Sequence, residues 1–244
     1  MTQQDRNNAA VSETVGYILL LAIVTLSMGV IYIAGYPALQ SNIDANAFES
    51  AEQNFIVLQS NMERVAFDQT PVKVLKLKLQ SSELATSNRS SITIDYDGNN
   101  KTYTTGEIEY SRDNKAISYE MGSVFKRYPP SSMVMVSEPK IYTGKVNNVN
   151  VTTIGIVSVN GNDDFISGNG IVTLNMKNNA SYMDTTSGIT DVKIQINSTH
   201  APKWEEFLEE IGFDIIFSSS SMVSAMRNDT ILTISRHVVD VELS

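Results

Sequence analysis

The side chains that do chemistry are scarce in this sequence. Cysteine is absent, which removes disulfides, thiolate metal sites and a cysteine nucleophile together. Only two histidines occur, His200 and His237, so a metal site built on imidazole would need carboxylates to complete it. Neither histidine has the serine and aspartate spacing of a catalytic triad, and no phosphate-cradling glycine loop is present. Two stretches are rich in oxygen ligands, Asp95-Tyr96-Asp97-Gly98-Asn99 and Asn160-Gly161-Asn162-Asp163-Asp164. The first lacks the distal glutamate of a full calcium loop, and Asp-Gly between alternating runs is foremost a hairpin signal. The second reads foremost as a turn. Trp204, the single tryptophan, recurs with Phe207, Leu208 and Ile211 at helical spacing and reads as core. The residues thus give no reason to expect an enzyme, a cofactor or a metal.

Two further residue types carry chemistry of another kind. Glu13 is a carboxylate at the edge of a long apolar run, where a charge is costly unless paired. It also reads as a residue of the hydrated interface, or as the first turn of a helix capped by Ser12. Glycosylation sequons occur at Asn88, Asn100, Asn150, Asn179, Asn197 and Asn228, and none precedes residue 88. An Asn- and Ser-rich β surface is the first reading of them, and glycosylation the second.

The element that positions all of these is Val15 to Ala38, an uncharged apolar run of more than twenty residues. As a helix rising about 1.5 Å per residue it crosses the roughly 30 Å hydrocarbon core of a bilayer. Tyr17 lies near one end, with Tyr32 and Tyr36 near the other, as interfacial aromatic belts require. Arg6 precedes the run, while Asp44, Glu49 and Glu52 follow it, which predicts a cytoplasmic N-terminus and an exterior C-terminal domain. A cleaved secretory signal would have a shorter apolar region and a small-residue cleavage site. A buried core helix would not be apolar on every face. Pro37 predicts a kink. Beyond it Leu39, Ile43, Ala47, Ala51, Phe55, Leu58, Met62 and Val65 mark one face of an amphipathic helix. The expected division is a polar leader over 1–14, a transmembrane and amphipathic helix over 15–67, and a β-rich domain over 68–244.

Ala10-Val11-Ser12-Glu13, followed by Val15-Gly16-Tyr17-Ile18-Leu19, resembles the N-terminal signature of archaeal type IV pilin-like proteins. The stretch GEIEYSRDNKAISYEMGSVFKRY with SSMVMV, within 106–136, resembles the body of an archaeal family of pilin-like exported proteins. The first resemblance implies processing by a prepilin peptidase. A cut between Ala10 and Val11 leaves Glu13 third, and a cut after Asn8 leaves it fifth. It further implies that Glu13 neutralises the terminal amine of a neighbouring subunit during assembly. Membrane lipid and identical or related subunits are the implied partners.

From Pro71 onward the period is that of strands. Val72 to Leu79 alternates with a slip between Val74 and Leu75, which predicts a bulge there. Ser91–Asp95 and Lys101–Thr104 flank Asp97-Gly98-Asn99, and Glu107–Tyr110 and Ala116–Glu120 flank Arg112-Asp113-Asn114, giving two hairpins. Strands are also expected over 133–136, 140–142, 151–159, 171–176, 191–197, 213–217, 230–235 and 238–243. Gly- and Asn-containing turns divide the middle of this series. A short helix is expected from Pro202 to Gly212, opened by proline and closed by glycine.

The fold class is therefore α+β: one long N-terminal helix and a mainly antiparallel β domain, with a β-sandwich as the alternative arrangement. A net charge of −9 disfavours a nucleic-acid surface. The expected function is a pilin-like subunit or cell-surface protein, held in the membrane by one N-terminal helix and able to form a filament through it. The alternative is a monomeric, uncleaved surface-binding module that uses the helix only as an anchor.

Overall fold

A computed structural model describes the backbone of residues 3–68, 70–130 and 132–244, with side chains described from Val15 onward within those ranges. The chain divides into two compact units, Met1–Glu49 and Ser50–Ser244. The first holds α1 (Gln3–Val30), a π-helical turn over Ile31–Gly35, and the start of α2 (Tyr36–Ala66). The apolar side chains from Val15 to Tyr36 are nearly all exposed. Two hydroxyls within this stretch serve their own helix. Thr25 Oγ1 donates to the Leu21 carbonyl at 2.8 Å, and Ser27 Oγ donates to the Ile23 carbonyl at 2.7 Å. That pairing is how a helix in hydrocarbon carries a hydroxyl without exposing an unmet polar group. Pro37 does not break the helix. It offers no N–H to the carbonyl four residues back, and the chain widens into the π turn immediately before it.

In the second unit, the C-terminal part of α2 is a core element. Phe55, Leu58, Met62 and Val65, spaced three and four apart, have no exposed surface. The predicted stripe is buried from Ala47 onward, whereas Leu39 and Ile43 stay exposed. Polar groups beside the stripe tie the helix to the strands around it. Gln59 Nε2 donates to the Gly122 carbonyl at 2.7 Å and to the Glu138 carbonyl at 3.2 Å. Lys126 bonds Glu52, Lys140 lies 3.1 Å from Glu63, and Asn178 Nδ2 donates to the Val65 carbonyl at 2.8 Å.

Among the described residues, thirteen strands form one continuous sheet. They are β1 (Val72–Ser87), β2 (Ser91–Tyr96), β3 (Asn99–Thr104), β4 (Glu107–Arg112), β5 (Lys115–Glu120), β6 (Ser123–Tyr128), β7 (Ser132–Ser137), β8 (Ile141–Val146), β9 (Val149–Asn160), β10 (Phe165–Thr185), β11 (Thr190–Asn197), β12 (Asp214–Ser218) and β13 (Met222–Leu243). The helix α3 (Ala201–Glu210) stands between β11 and β12. The main path runs β3-β2-β11-β13-β10-β1-β4-β5-β6-β7. β12 adds to the first half of β13, and β9 to its second half, with β8 on β9. Among the described residues all pairings are antiparallel except β9 with β13. The chain is thus α+β, with its strands in one sheet rather than in two facing ones. Phe125 on β6 shares a core with Ile92, Ile194, Trp204 and Leu232, so the far end of the path closes over α3.

Three local expectations are corrected. The bulge of β1 lies at Ser81, between Gln80 and Ser82, and not at Val74/Leu75. Val72 and Val74 simply occupy the exposed face with Lys76 and Lys78. The turn expected after Met176 is instead a bulge between Asn178 and Ala180 within the 21-residue β10. There the Asn179 side chain bonds Asp240 across to β13, so an asparagine that favours turns is held in the sheet. The two last predicted strands are one strand of 22 residues. Arg236 and His237 do not interrupt it, because β10 and β9 pair them on both sides.

A buried Glu-His-Glu cluster at the mouth of a cleft

The β4–β5 hairpin turns at Asp113, whose φ is +52°, and its register sets Arg112 opposite Lys115 and Glu107 opposite Glu120. Two like charges directly across a pair of strands destabilise it unless something intervenes. The intervening group is His200, the residue that caps the N-terminus of α3. Its Nδ1 lies 3.2 Å from Glu120 Oε2, and its Nε2 lies 3.8 Å from Glu107 Oε1.

Glu120 is enclosed by donors. Ser198 Oγ donates to Oε2 at 2.8 Å, and Trp204 Nε1 donates to Oε1 at 2.9 Å. Ser198 Oγ also accepts the His200 backbone N–H at 2.9 Å, so one serine orders both the carboxylate and the histidine. The imidazole stacks on Phe125 with ring centroids 4.3 Å apart, and Phe125 in turn meets Trp204. Glu120 and His200 expose 1% and 2% of their surface. Glu107 is less enclosed, yet its Oε1 is buried without a hydrogen-bond partner.

These surroundings move both titrations. Burial pushes the Glu107 carboxyl up to about 7; the positive charge of His200 opposes this, and Glu120 and Glu109 add to it. For His200, burial pulls the pKa down, but the bond to Glu120 and the charges of Glu120, Glu107 and Glu109 outweigh it and hold the imidazole above its ordinary value.

The strand start that carries Glu107 is fixed by a close backbone approach. Gly106 has φ +64°, and a Cβ there would stand 2.2 Å from the Val159 carbonyl oxygen. Thr105 closes the junction: its carbonyl accepts the Val159 N–H at 2.7 Å, and its hydroxyl donates to Ser90 Oγ at 2.9 Å.

Glu107 and Glu120 open onto a cleft of about 820 Å³. Its walls carry six carboxylates, from Glu83, Glu107, Glu109, Glu120, Asp163 and Asp164, against Arg89 and Arg127. Such a cleft concentrates cations and repels anions. Among the described residues, Glu107, Glu120 and His200 form the one group with metal-ligand spacing, each offering an atom within 4.8 Å of the others.

The sequence-predicted residues lie in several places. Asp97 and Gly98 form the β2–β3 turn, both with positive φ. The 160–164 turn joins the cleft wall, where Asp163 Oδ1 accepts the Asn88 N–H at 2.7 Å. His237 bonds Ser181 Oγ through Nδ1 at 2.9 Å and packs on Phe67, apart from the cluster. Asn100 and Asn228 are exposed. Asn88 and Asn179 are exposed too, but their amide nitrogens donate to Gly161 and Asp240. Asn150 and Asn197 are half-buried. Ala10, Val11 and Glu13 lie where side chains are outside the described residues. Sequence reasoning missed the cluster: the expected hairpin turned on Arg112-Asp113-Asn114, and only the observed pairing across Asp113-Asn114 puts Glu107 opposite Glu120.

One N-terminal helix is long and apolar enough to cross a membrane. With the β domain that follows it, this fits a membrane-anchored surface protein. No solved structure matches the chain. An archaeal relative from Archaeoglobus fulgidus, named only "Uncharacterized protein", is 20% identical over 231 residues, covering 86% of this chain and 84% of the relative. The model of a family described as "Family of unknown function (DUF7289)" matches residues 9–242, so the chain belongs to that family.

Proposed function

We propose that the protein is a non-enzymatic, pilin-like subunit. It is inserted through Val15–Ala38 with its N-terminus in the cytoplasm, displays its β domain outside the cell, and assembles with copies or related subunits through the same helix. The observation that carries this reading is the exposure of the apolar side chains between Val15 and Tyr36, with the hydroxyls of Thr25 and Ser27 turned back onto their own helix. A surface of that extent in water would associate. Lipid and a neighbouring copy of the same helix both satisfy it. Exposed Asn100 and Asn228 would carry glycans on an exterior domain without disturbing a hydrogen bond of the sheet.

In this reading a prepilin peptidase cuts the leader at Ala10/Val11 or after Asn8, and Glu13 pairs with the new amine of its neighbour. N-terminal sequencing of the mature protein, with sedimentation of sheared surface material, tests it. A terminus near Val11 and a pelletable polymer are expected. An intact Met1 on a protein extracted only by detergent would instead establish the monomeric anchored module. Glu13→Gln is expected to leave membrane insertion unchanged and to lower polymer yield at least tenfold.

A further inference from the structure

The two ring nitrogens of His200 face different carboxylates, Nδ1 toward Glu120 and Nε2 toward Glu107. Glu120 receives N–H and O–H donors from Trp204 and Ser198 and faces Nδ1, so it draws the imidazole proton to Nδ1. In the neutral ring Nε2 then presents its lone pair toward Glu107 Oε1. At 3.8 Å these atoms are too far apart for a hydrogen bond. Ligands of one tetrahedral ion, each about 2.0–2.1 Å from it, stand roughly 3.4 Å apart, so a closure of about 0.4 Å would seat an ion between them. Glu107 Oε1 is buried and accepts no hydrogen bond, a costly state for a carboxylate that a cation would relieve. The cleft lined by Glu107 supplies the route in.

We propose that His200 Nε2 and Glu107 Oε1 bind a divalent transition-metal ion, with Glu120 as the carboxylate that orients the imidazole. The carboxylate–imidazole–metal order is the usual way a protein fixes the tautomer of a ligating histidine. One nitrogen with carboxylate and water oxygens suits Zn²⁺ and its first-row neighbours better than Mg²⁺ or Ca²⁺, which take all-oxygen shells. The site is independent of the membrane helix, so it stands whether or not the protein forms filaments.

Trp204 reports on the site directly, being the only tryptophan and bonded to Glu120. The full chain in detergent micelles, stripped with EDTA, is titrated with ZnCl₂ while Trp204 fluorescence is followed. A saturable change at one equivalent is expected, with a midpoint in the micromolar range. In Glu107→Gln, with an unchanged far-ultraviolet spectrum, the midpoint rises at least tenfold. No saturable change up to millimolar Zn²⁺, or a Glu107→Gln titration matching the unsubstituted protein, overturns the proposal. Should Glu107→Gln not fold, CoCl₂ added to the unsubstituted protein decides. A visible absorption band from nitrogen-ligated Co²⁺ supports the site, and the spectrum of aqueous Co²⁺ alone overturns it.

Discussion

Glu107 and His200 tie stability to pH through a few side chains. Glu107 titrates at about 7 when folded, against 4.5 as its ordinary value, so between those limits the folded state holds a proton that the unfolded chain has released. Stability therefore falls as pH rises across this window. His200, raised when folded, contributes stability that is complete below its unfolded pKa and lost as pH climbs through the folded one, in the same direction. In EDTA-treated protein, urea unfolding is expected to show stability falling from about pH 5 to about pH 8. Glu107→Gln should flatten the acid part of that slope, by up to about 3 kcal/mol at roughly 1.4 kcal/mol per pKa unit. Trp204→Phe keeps the aromatic packing on Phe125 but removes a donor from buried Glu120. A loss of about 1–3 kcal/mol is expected in the same assay.

At the scale of elements, two junctions hold the β domain together. Gly106 starts β4 against the Val159 carbonyl. Gly106→Ala combines a left-handed backbone with a 2.2 Å clash against main chain, and a loss of more than about 2 kcal/mol is expected by thermal or chemical unfolding. The second junction is α2 itself. Met62→Ala empties a fully buried site, and about 2–5 kcal/mol is the usual cost of such a truncation. The helix belongs to the β domain's core even though its sequence runs on from the apolar span. The amphipathic stripe announced that role, since spacings of three and four over Ala47–Val65 admit a helix with one buried face. Which strands would enclose it was not legible, because the ties from Gln59, Glu63 and Val65 reach residues 63 to 113 positions away or more distant in the chain than any local pattern spans.

For the whole molecule, the division at Glu49/Ser50 predicts where the protein can be cut. A fragment covering 50–244 is expected to be soluble and to give a β-rich circular-dichroism spectrum with a cooperative unfolding transition. A fragment beginning at 72 lacks Phe55, Leu58, Met62 and Val65, and is expected to aggregate or remain unfolded in the same measurement. The full chain should sediment with membranes and resist alkaline carbonate, whereas 50–244 should stay in the supernatant.

The sequence by itself determined the apolar span, the helical stripe beyond it, the two Asp-centred hairpins and the short helix from Pro202 to Gly212. Each follows from a local period or from a turn residue, and local rules suffice for those. It also fixed that any imidazole-based metal site would need carboxylates, since only two histidines exist. Tertiary structure alone decided that β13 is one unbroken strand, because pairing on both flanks carries the ladder through Arg236 and His237. It alone brought His200 between Glu107 and Glu120, residues 93 and 80 positions away in the chain. Burial then raised the Glu107 carboxyl, and the neighbouring carboxylates raised His200, since exclusion from water and long-range contact are properties of the packed core and not of any stretch of sequence.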